Sequence, residues 1–311
     1  MKICPITYEE IKKSEKYSLK GLHQLSSALK ELNDFPYTAE EQRKEALARS
    51  SKLSIQGIQP KLSVVLSIKD GLFKAVDHGG KYILKPQVES FNHLPENEDV
   101  TMRLARIAGI EVPLHGLTYS KDGSLTYFIR RFDRKGQKDK IHIEDFAQLS
   151  GESRDTKYES SMEQVAKIVN QYCTFPVIER LKLFERTIFS FLVGNEDMHL
   201  KNFSLIVRNE KVELSPAYDL VNSTLALGNA KEELALSIRG KKSKLKREDL
   251  VDYFALEKLQ ITTKACESSL EKLSTCLPQW HAYIEKSFLP KDAQKIYLGI
   301  LEDRANRLVL R

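Results

Sequence analysis

The chain is poor in cysteine and does not cluster what it has. Cys4, Cys173, Cys266 and Cys276 stand far apart, with no CxxC pair. That spacing argues against a structural zinc site and a disulfide framework, and it suits a reducing, cytoplasmic setting. No apolar run approaches the roughly 20 residues that a membrane span needs, so no membrane partner is expected. Met1–Glu10 has no apolar core of the signal-peptide kind, and no secretory leader is expected from it. Internal repeats and low-complexity segments are missing. So are a Walker A loop and a GxGxxG loop. What is present, 41% apolar and 30% charged residues in a 311-residue chain, is that of one large or two medium globular domains. The formal charge is +6, and six basic residues in nine fall in Arg239-Gly-Lys-Lys-Ser-Lys-Leu-Lys-Arg247. A solvated loop is the simpler reading of that run. A surface facing phosphate, nucleic acid or an acidic partner is the alternative.

Hydrophobic spacing divides the chain into two kinds of segment. Ile11, Leu19, Leu22, Leu25, Leu29 and Leu32 follow helical spacing, which predicts helices over residues 7–33. Thr38 and Glu41 form a capping-box pattern for a helix over 38–49. The period then changes to two. Residues 61–69 and 72–76 flank Asp70-Gly71, a hairpin turn signal, and Tyr82-Ile-Leu-Lys85 continues the sheet. A helix is expected at about 97–108, stopped by Gly109, and strands at 114–119 and 124–130. From about 142 onward helical patterns dominate, with a long helix expected over 177–193 and further helices over 247–286 and 291–309. The expected organisation is an N-terminal lobe over 1–132, a small antiparallel sheet with a helical extension, and a helical C-terminal lobe over 133–311. Ligand clefts often lie between two such domains.

The segment with the most chemical content is Gly194-Asn-Glu-Asp-Met-His-Leu-Lys-Asn202, followed by Asp219. Between them Phe203–Val207 and Val212–Ser215 read as two strands joined at Arg208–Lys211. A hairpin returns its ends to one side, so Asn202 and Asp219 can reach one hard cation that prefers oxygen ligands. Asp197 precedes them and can orient a substrate hydroxyl. A base, an amide oxygen and a second carboxylate in this order are what phosphoryl transfer from ATP with Mg²⁺ requires. Any one of these residues could equally cap a helix or a turn.

A nucleotide site also needs a cover and a cation on the phosphates. Ser54–Lys61 contains one glycine and precedes the first sheet strand. It could form the cover, or simply an ordinary turn. Lys85 at the end of its strand could meet phosphate, with Glu98 as its partner. A solvated lysine and a carboxylate serving the helix dipole are the alternatives.

Taken in order, seven segments resemble the HipA family of bacterial serine/threonine kinases, the toxins of type II toxin–antitoxin systems. They are Ser54–Lys61, Tyr82–Pro86, Arg130–Arg134, Gln148–Gly151 with Lys157-Tyr158, Gly194–Asn202, Pro216–Leu220 and Leu236–Lys241. The resemblance implies an α+β, two-lobed protein-kinase-like fold. It implies Asp197 as catalytic base, Asn202 and Asp219 as Mg²⁺ ligands, and Lys85 on the nucleotide phosphates. Gln56, Gly57, Ile58, Gln59 and Lys61 would belong to the phosphate loop. His199, Lys201 and Tyr218 would line the nucleotide site, and Arg130 to Phe132 would meet adenine, largely through backbone groups. Arg130 stands where the family usually has Glu. Ser54 matches a loop serine that members autophosphorylate; its phosphate would repel ATP and silence the enzyme.

The chain also resembles the short HipT type, in which the N-terminal subdomain is a separate small antitoxin, HipS, beside a helix-turn-helix protein, HipB. The partners implied are a HipS-like antitoxin, a HipB-like DNA-binding protein through which DNA is met indirectly, and an aminoacyl-tRNA synthetase as substrate. A pseudokinase-like binding module, scaffold or co-repressor, is the alternative from another class, and a small-molecule kinase is a third.

Overall fold

The computed structural model describes residues 2–49, 59–136, 139–152, 156–228 and 231–310. Ser54, Gln56, Gly57 and Ile58 therefore lie outside the described residues. Contacts divide the chain into two compact units. One comprises residues 1–100, 113–139 and 286–289; the other comprises 101–112, 140–285 and 290–311.

The first unit is built on five antiparallel strands. It opens with a two-residue ribbon, β1 (Lys2–Ile3) with β2 (Glu10–Ile11), then α1 (Leu19–Leu25) and α2 (Ala39–Arg49). The sheet strands are β3 (Leu62–Ser67), β4 (Leu72–Ala75), β5 (Tyr82–Lys85), then, after α3 (Leu94–Ile107), β6 (His115–Tyr119) and β7 (Leu125–Arg130), in the order β4-β3-β5-β7-β6. Alternation works as expected: Leu62, Val64, Leu84 and Phe128 are fully buried in one core with Phe73 and Tyr82. The capping box of α2 forms, with Glu41 N–H donating to Thr38 Oγ1 (3.1 Å) and Thr38 N–H to Glu41 Oε2 (2.8 Å).

The helices expected over 7–33 shrink to α1. Ser18 caps it by accepting from Gly21 N–H, and residue 26 ends it in extended conformation. Leu29, Leu32 and Phe35 are buried all the same, because a non-helical segment lays them on the sheet core. Their spacing reported burial and not helix.

A short ribbon, β8 (Arg134–Lys135) with β9 (Asp139–Lys140), leads into the second unit. That unit contains a three-stranded antiparallel sheet, β10 (Ile143–Asp145), β11 (Ser204–Arg208) and β12 (Lys211–Leu214), in that order. The β11–β12 hairpin is the expected one, with Val207 opposite Val212. Strand β10, which pairs Ile143 with Ile206, was hidden in a stretch too short and polar to show alternation.

Helices make up the rest: α4 (Phe146–Leu149), α5 (Met162–Tyr172), α6 (Pro176–Leu192), α7 (Ser223–Leu227), α8 (Thr263–Lys286) and α9 (Lys291–Arg307). Pro176 stands at the start of α6, where its missing N–H costs nothing. The helical stretch expected over 247–286 divides in two. Glu248–Lys258 winds as a wide π-type helix, Gln260 turns left-handed (φ 51°), and α8 starts afresh. Among the described residues no helix is long and apolar enough to cross a membrane.

The basic run is largely engaged inside its own unit. Lys241 Nζ meets Asp249 Oδ1 (2.8 Å), Lys242 faces Glu232 (3.7 Å), Arg239 lies over Tyr253 and Arg247 donates to the Leu308 carbonyl.

Candidate active site

In the second unit, α6 delivers a buried loop to the edge of the β11–β12 hairpin. The helix ends at Leu192, and Gly194 turns the chain at φ 74°. A side chain there would meet Asn222 Oδ1 at 2.7 Å, so glycine is needed both for the angle and for the space. The Gly194 carbonyl accepts from Thr224 N–H, and Glu196 N–H donates to Ser223 Oγ (2.7 Å). The first turn of α7 thus braces the loop.

Asp197 follows and is exposed, although its neighbours Glu196, Met198 and His199 are buried. Its carbonyl accepts from His199 N–H (2.9 Å) and from Asn202 Nδ2 (2.9 Å). The second bond closes the five-residue spacing between Asp197 and Asn202 into a compact turn, completed by the 3₁₀ segment Leu200–Asn202. Because Asn202 donates through its nitrogen, its amide oxygen is left for a cation.

Asp219, beyond the hairpin, holds φ 55°. Left-handed backbone is uncommon outside glycine, is best tolerated by Asn and Asp, and clusters at functional sites. Its carboxylate acts on the His199 imidazole, and so do those of Asp197 and the Lys157 ammonium. An amide oxygen and a carboxylate form a hard oxygen donor set that fits Mg²⁺. Among the described residues no group of three or more His, Cys, Asp and Glu side chains is placed to hold a metal ion.

His199 is lowered from its ordinary pKa, mainly by burial and further by Lys157, against the pull of Asp197. Its Nε2 lies 2.7 Å from Lys157 Nζ. The ammonium can only donate, so Nε2 accepts and the ring proton sits on Nδ1. Tyr158 Oη donates to Asp197 Oδ1 at 2.5 Å, with its ring edge-on to His199 (5.0 Å, 77°). Tyr218 is half-buried, donates to the Lys201 carbonyl (2.9 Å) and meets Ser204 Oγ (2.6 Å); desolvation pushes its hydroxyl up in pKa. Lys201 Nζ reaches Asp145 Oδ2 (3.1 Å), the residue that also caps α4.

Sequence reasoning gave Lys157 and Tyr158 no role. They are some forty positions from Asp197 in the chain, and no spacing rule connects them. Glu196 was missed too. It is buried, and burial raises its carboxyl to about 7 against the pull of Arg304, while Glu232 and Asp197 add to the rise.

In the first unit, Lys85 is buried at the end of β5 and its Nζ meets Glu98 Oε1 of α3 at 2.5 Å. Lys85 Nζ also lies 5.6 Å from the Tyr127 ring. Gln59 and Lys61 are half-buried where the chain enters β3. Arg130 spends its guanidinium on Tyr82 Oη (2.8 Å) and the Leu25 carbonyl (3.2 Å), tying α1 to the sheet, and its N–H donates to Leu114. Phe132 follows β7 in a turn and is half-buried.

A lysine–glutamate pair between a strand and a helix in one unit, and an aspartate and an amide on one loop with a second aspartate beyond the hairpin in the other, are the kinds of group that phosphoryl transfer uses. The HipA-like C-terminal domain matches residues 53–280, and the chain belongs to that family. It is 34% identical over 240 residues to a Haemophilus influenzae protein named "Putative kinase", covering 71% of this chain and 68% of that one. It is 29% identical over 207 residues to the serine/threonine-protein kinase toxin HipA of Shewanella oneidensis, covering 60% of this chain and 47% of the toxin. A chain from the solved Shewanella oneidensis MR-1 complex of HipA, HipB and operator DNA superposes with a TM-score of 0.71 at 22% identity, over 96% of this chain and 80% of that one. The fold is the α+β, two-lobed kinase-like fold of HipA.

Proposed function

We propose that the chain is a Mg²⁺- and ATP-dependent protein serine/threonine kinase that acts as the toxin of a toxin–antitoxin pair. The observation that carries this reading is the turn closed by Asn202 Nδ2 on the Asp197 carbonyl, which sets an exposed carboxylate and an available amide oxygen on one braced loop. Asp197 accepts the proton of an incoming hydroxyl as its oxygen attacks the γ-phosphorus and ADP leaves. Asn202 and Asp219 hold Mg²⁺, which when bound neutralises charge on the phosphates. Lys85, positioned by Glu98, serves the phosphates; Gln56 to Lys61 cover them; His199, Lys201 and Tyr218 line the nucleotide, and Arg130 to Phe132 offer backbone groups to the base. Phosphorylation of Ser54 then silences the enzyme by repelling ATP.

The presence of HipB and operator DNA in the Shewanella complex supports a HipB-like partner through which DNA is met. A HipS-like antitoxin and an aminoacyl-tRNA synthetase as substrate complete the reading; both come from the family resemblance. The test is phosphate transfer from γ-labelled ATP to a panel of purified aminoacyl-tRNA synthetases. Labelling of one, lost with Asp219→Ala, is expected. Transfer that persists without Asp219 contradicts the metal assignment, and transfer to none removes the proposed substrate class.

A further inference from the structure

The Lys157–Tyr158 turn adjoins the loop that carries Asp197, and the proposed mechanism gives it no role. Lys157 and Tyr158 lie in the turn before α5, closed by Glu159 N–H on the Thr156 carbonyl (2.8 Å). The Lys157 carbonyl accepts from Leu200 N–H (3.3 Å), which ties this turn to the loop bearing Asp197. The Tyr158 ring meets Lys157 Nζ, 4.8 Å from its centroid, and the His199 ring in a T-shaped contact. Tyr158 is exposed, and its hydroxyl donates to one oxygen of the Asp197 carboxylate.

An exposed aspartate side chain rotates freely, and a general base must meet its proton in a narrow range of distance and angle. A charge-assisted O–H···O⁻ bond of this length is among the stronger ones available to it. Partial desolvation and the bond to the Asp197 carboxylate both raise the Tyr158 phenol, so it stays protonated and remains a donor. The carboxylate keeps a second oxygen beside the one that Tyr158 engages.

We propose that Tyr158 is a positioning residue: its hydroxyl locks the Asp197 carboxylate through Oδ1 so that the other oxygen faces the substrate hydroxyl. This rests on the reading of Asp197 as base. Lys157 supports the arrangement from behind by fixing both the Tyr158 ring and the His199 tautomer.

The test is the transfer of labelled phosphate from ATP to the chain itself and to water, at saturating Mg²⁺. Wild type, Asp197→Gln, Tyr158→Phe and Tyr158→p-aminophenylalanine are compared for maximal rate, half-saturating ATP and melting temperature. Phe retains the ring contacts and removes only the hydroxyl. It is expected to lower the maximal rate by about 10- to 100-fold, with half-saturating ATP and melting temperature unchanged. The amino group restores a donor at the same place and is expected to recover much of the rate. Tyr158→Phe at the wild-type rate would make the turn merely structural and overturn the proposal. A faster Phe variant would also overturn it, by showing that the hydroxyl competes with substrate. An active wild type with a silent Asp197→Gln and an unaffected Tyr158→Phe defeats only this inference. A wild type that transfers nothing, or an Asp197→Gln variant of full activity, defeats the reading it rests on as well.

Discussion

Lys85 and Glu98 place opposite charges in a site almost without water, at side-chain exposures of 4% and 3%. Such a pair is weak evidence for stability, but losing one member leaves the other charge buried and uncompensated. Lys85→Met is expected to lower unfolding stability by about 3 kcal/mol or more in denaturant titration. Adding Glu98→Gln should recover a large part of that loss; a double variant no better than the single would show that the pair is not coupled. Glu196 makes a pH prediction. Its carboxyl is raised from 4.5 to about 7. The folded chain therefore keeps this proton to higher pH than the unfolded chain does. The contribution is fully present below pH 4.5 and is lost as pH rises through about 7. Glu196→Gln, which mimics the neutral form, should add on the order of 1 kcal/mol at pH 8.5 and much less at pH 5. Equal effects at both pH values would contradict the burial argument.

At the scale of elements, the loop that carries Asp197 depends on the turn that Gly194 makes between α6 and α7. Gly194→Ala combines a left-handed backbone with a 2.7 Å approach to Asn222. It should cost about 1–3 kcal/mol and displace α7, measured as a fall in melting temperature together with weaker transfer. A variant as stable and active as wild type would show that the loop can be re-formed without glycine. The same elements show what a sequence can disclose. The sheet of the first unit was legible from the alternation that sends Leu62 and Val64 into one core and from the Asp70-Gly71 turn signal, and the β11–β12 hairpin because its turn is polar between two apolar runs. The Asp197–Asn202 spacing was legible because one turn of backbone fixes it. Tyr158 was not, because it reaches Asp197 through a tertiary approach that leaves no period. Leu29 and Leu32 misled because burial under a non-helical segment can mimic a helical stripe. The break at Gln260 was invisible because the apolar spacing continues across it.

For the whole molecule, the charge of the basic run is largely engaged in local contacts, so net charge is a poor guide to partners here. Ligand binding is a better one. A chain that binds MgATP in its folded state alone should gain about 2.7 kcal/mol at a hundredfold excess over the dissociation constant. The rise in melting temperature should shrink with Asp219→Ala when Mg²⁺ is present, and the two proteins should behave alike in EDTA. No difference between them in Mg²⁺ would remove Asp219 from the metal site.

The most direct test of the central claim, that Asp197 serves phosphoryl transfer, is the intact mass of the chain produced in bacteria as wild type, Ser54→Ala and Asp197→Gln, before and after incubation with Mg²⁺ and ATP. The account predicts one added phosphate on wild type, located on Ser54 by peptide mapping. It predicts none on Asp197→Gln, which should still bind nucleotide. A fully phosphorylated Asp197→Gln protein, or a wild type that binds ATP and never transfers phosphate to itself or to water, would contradict it.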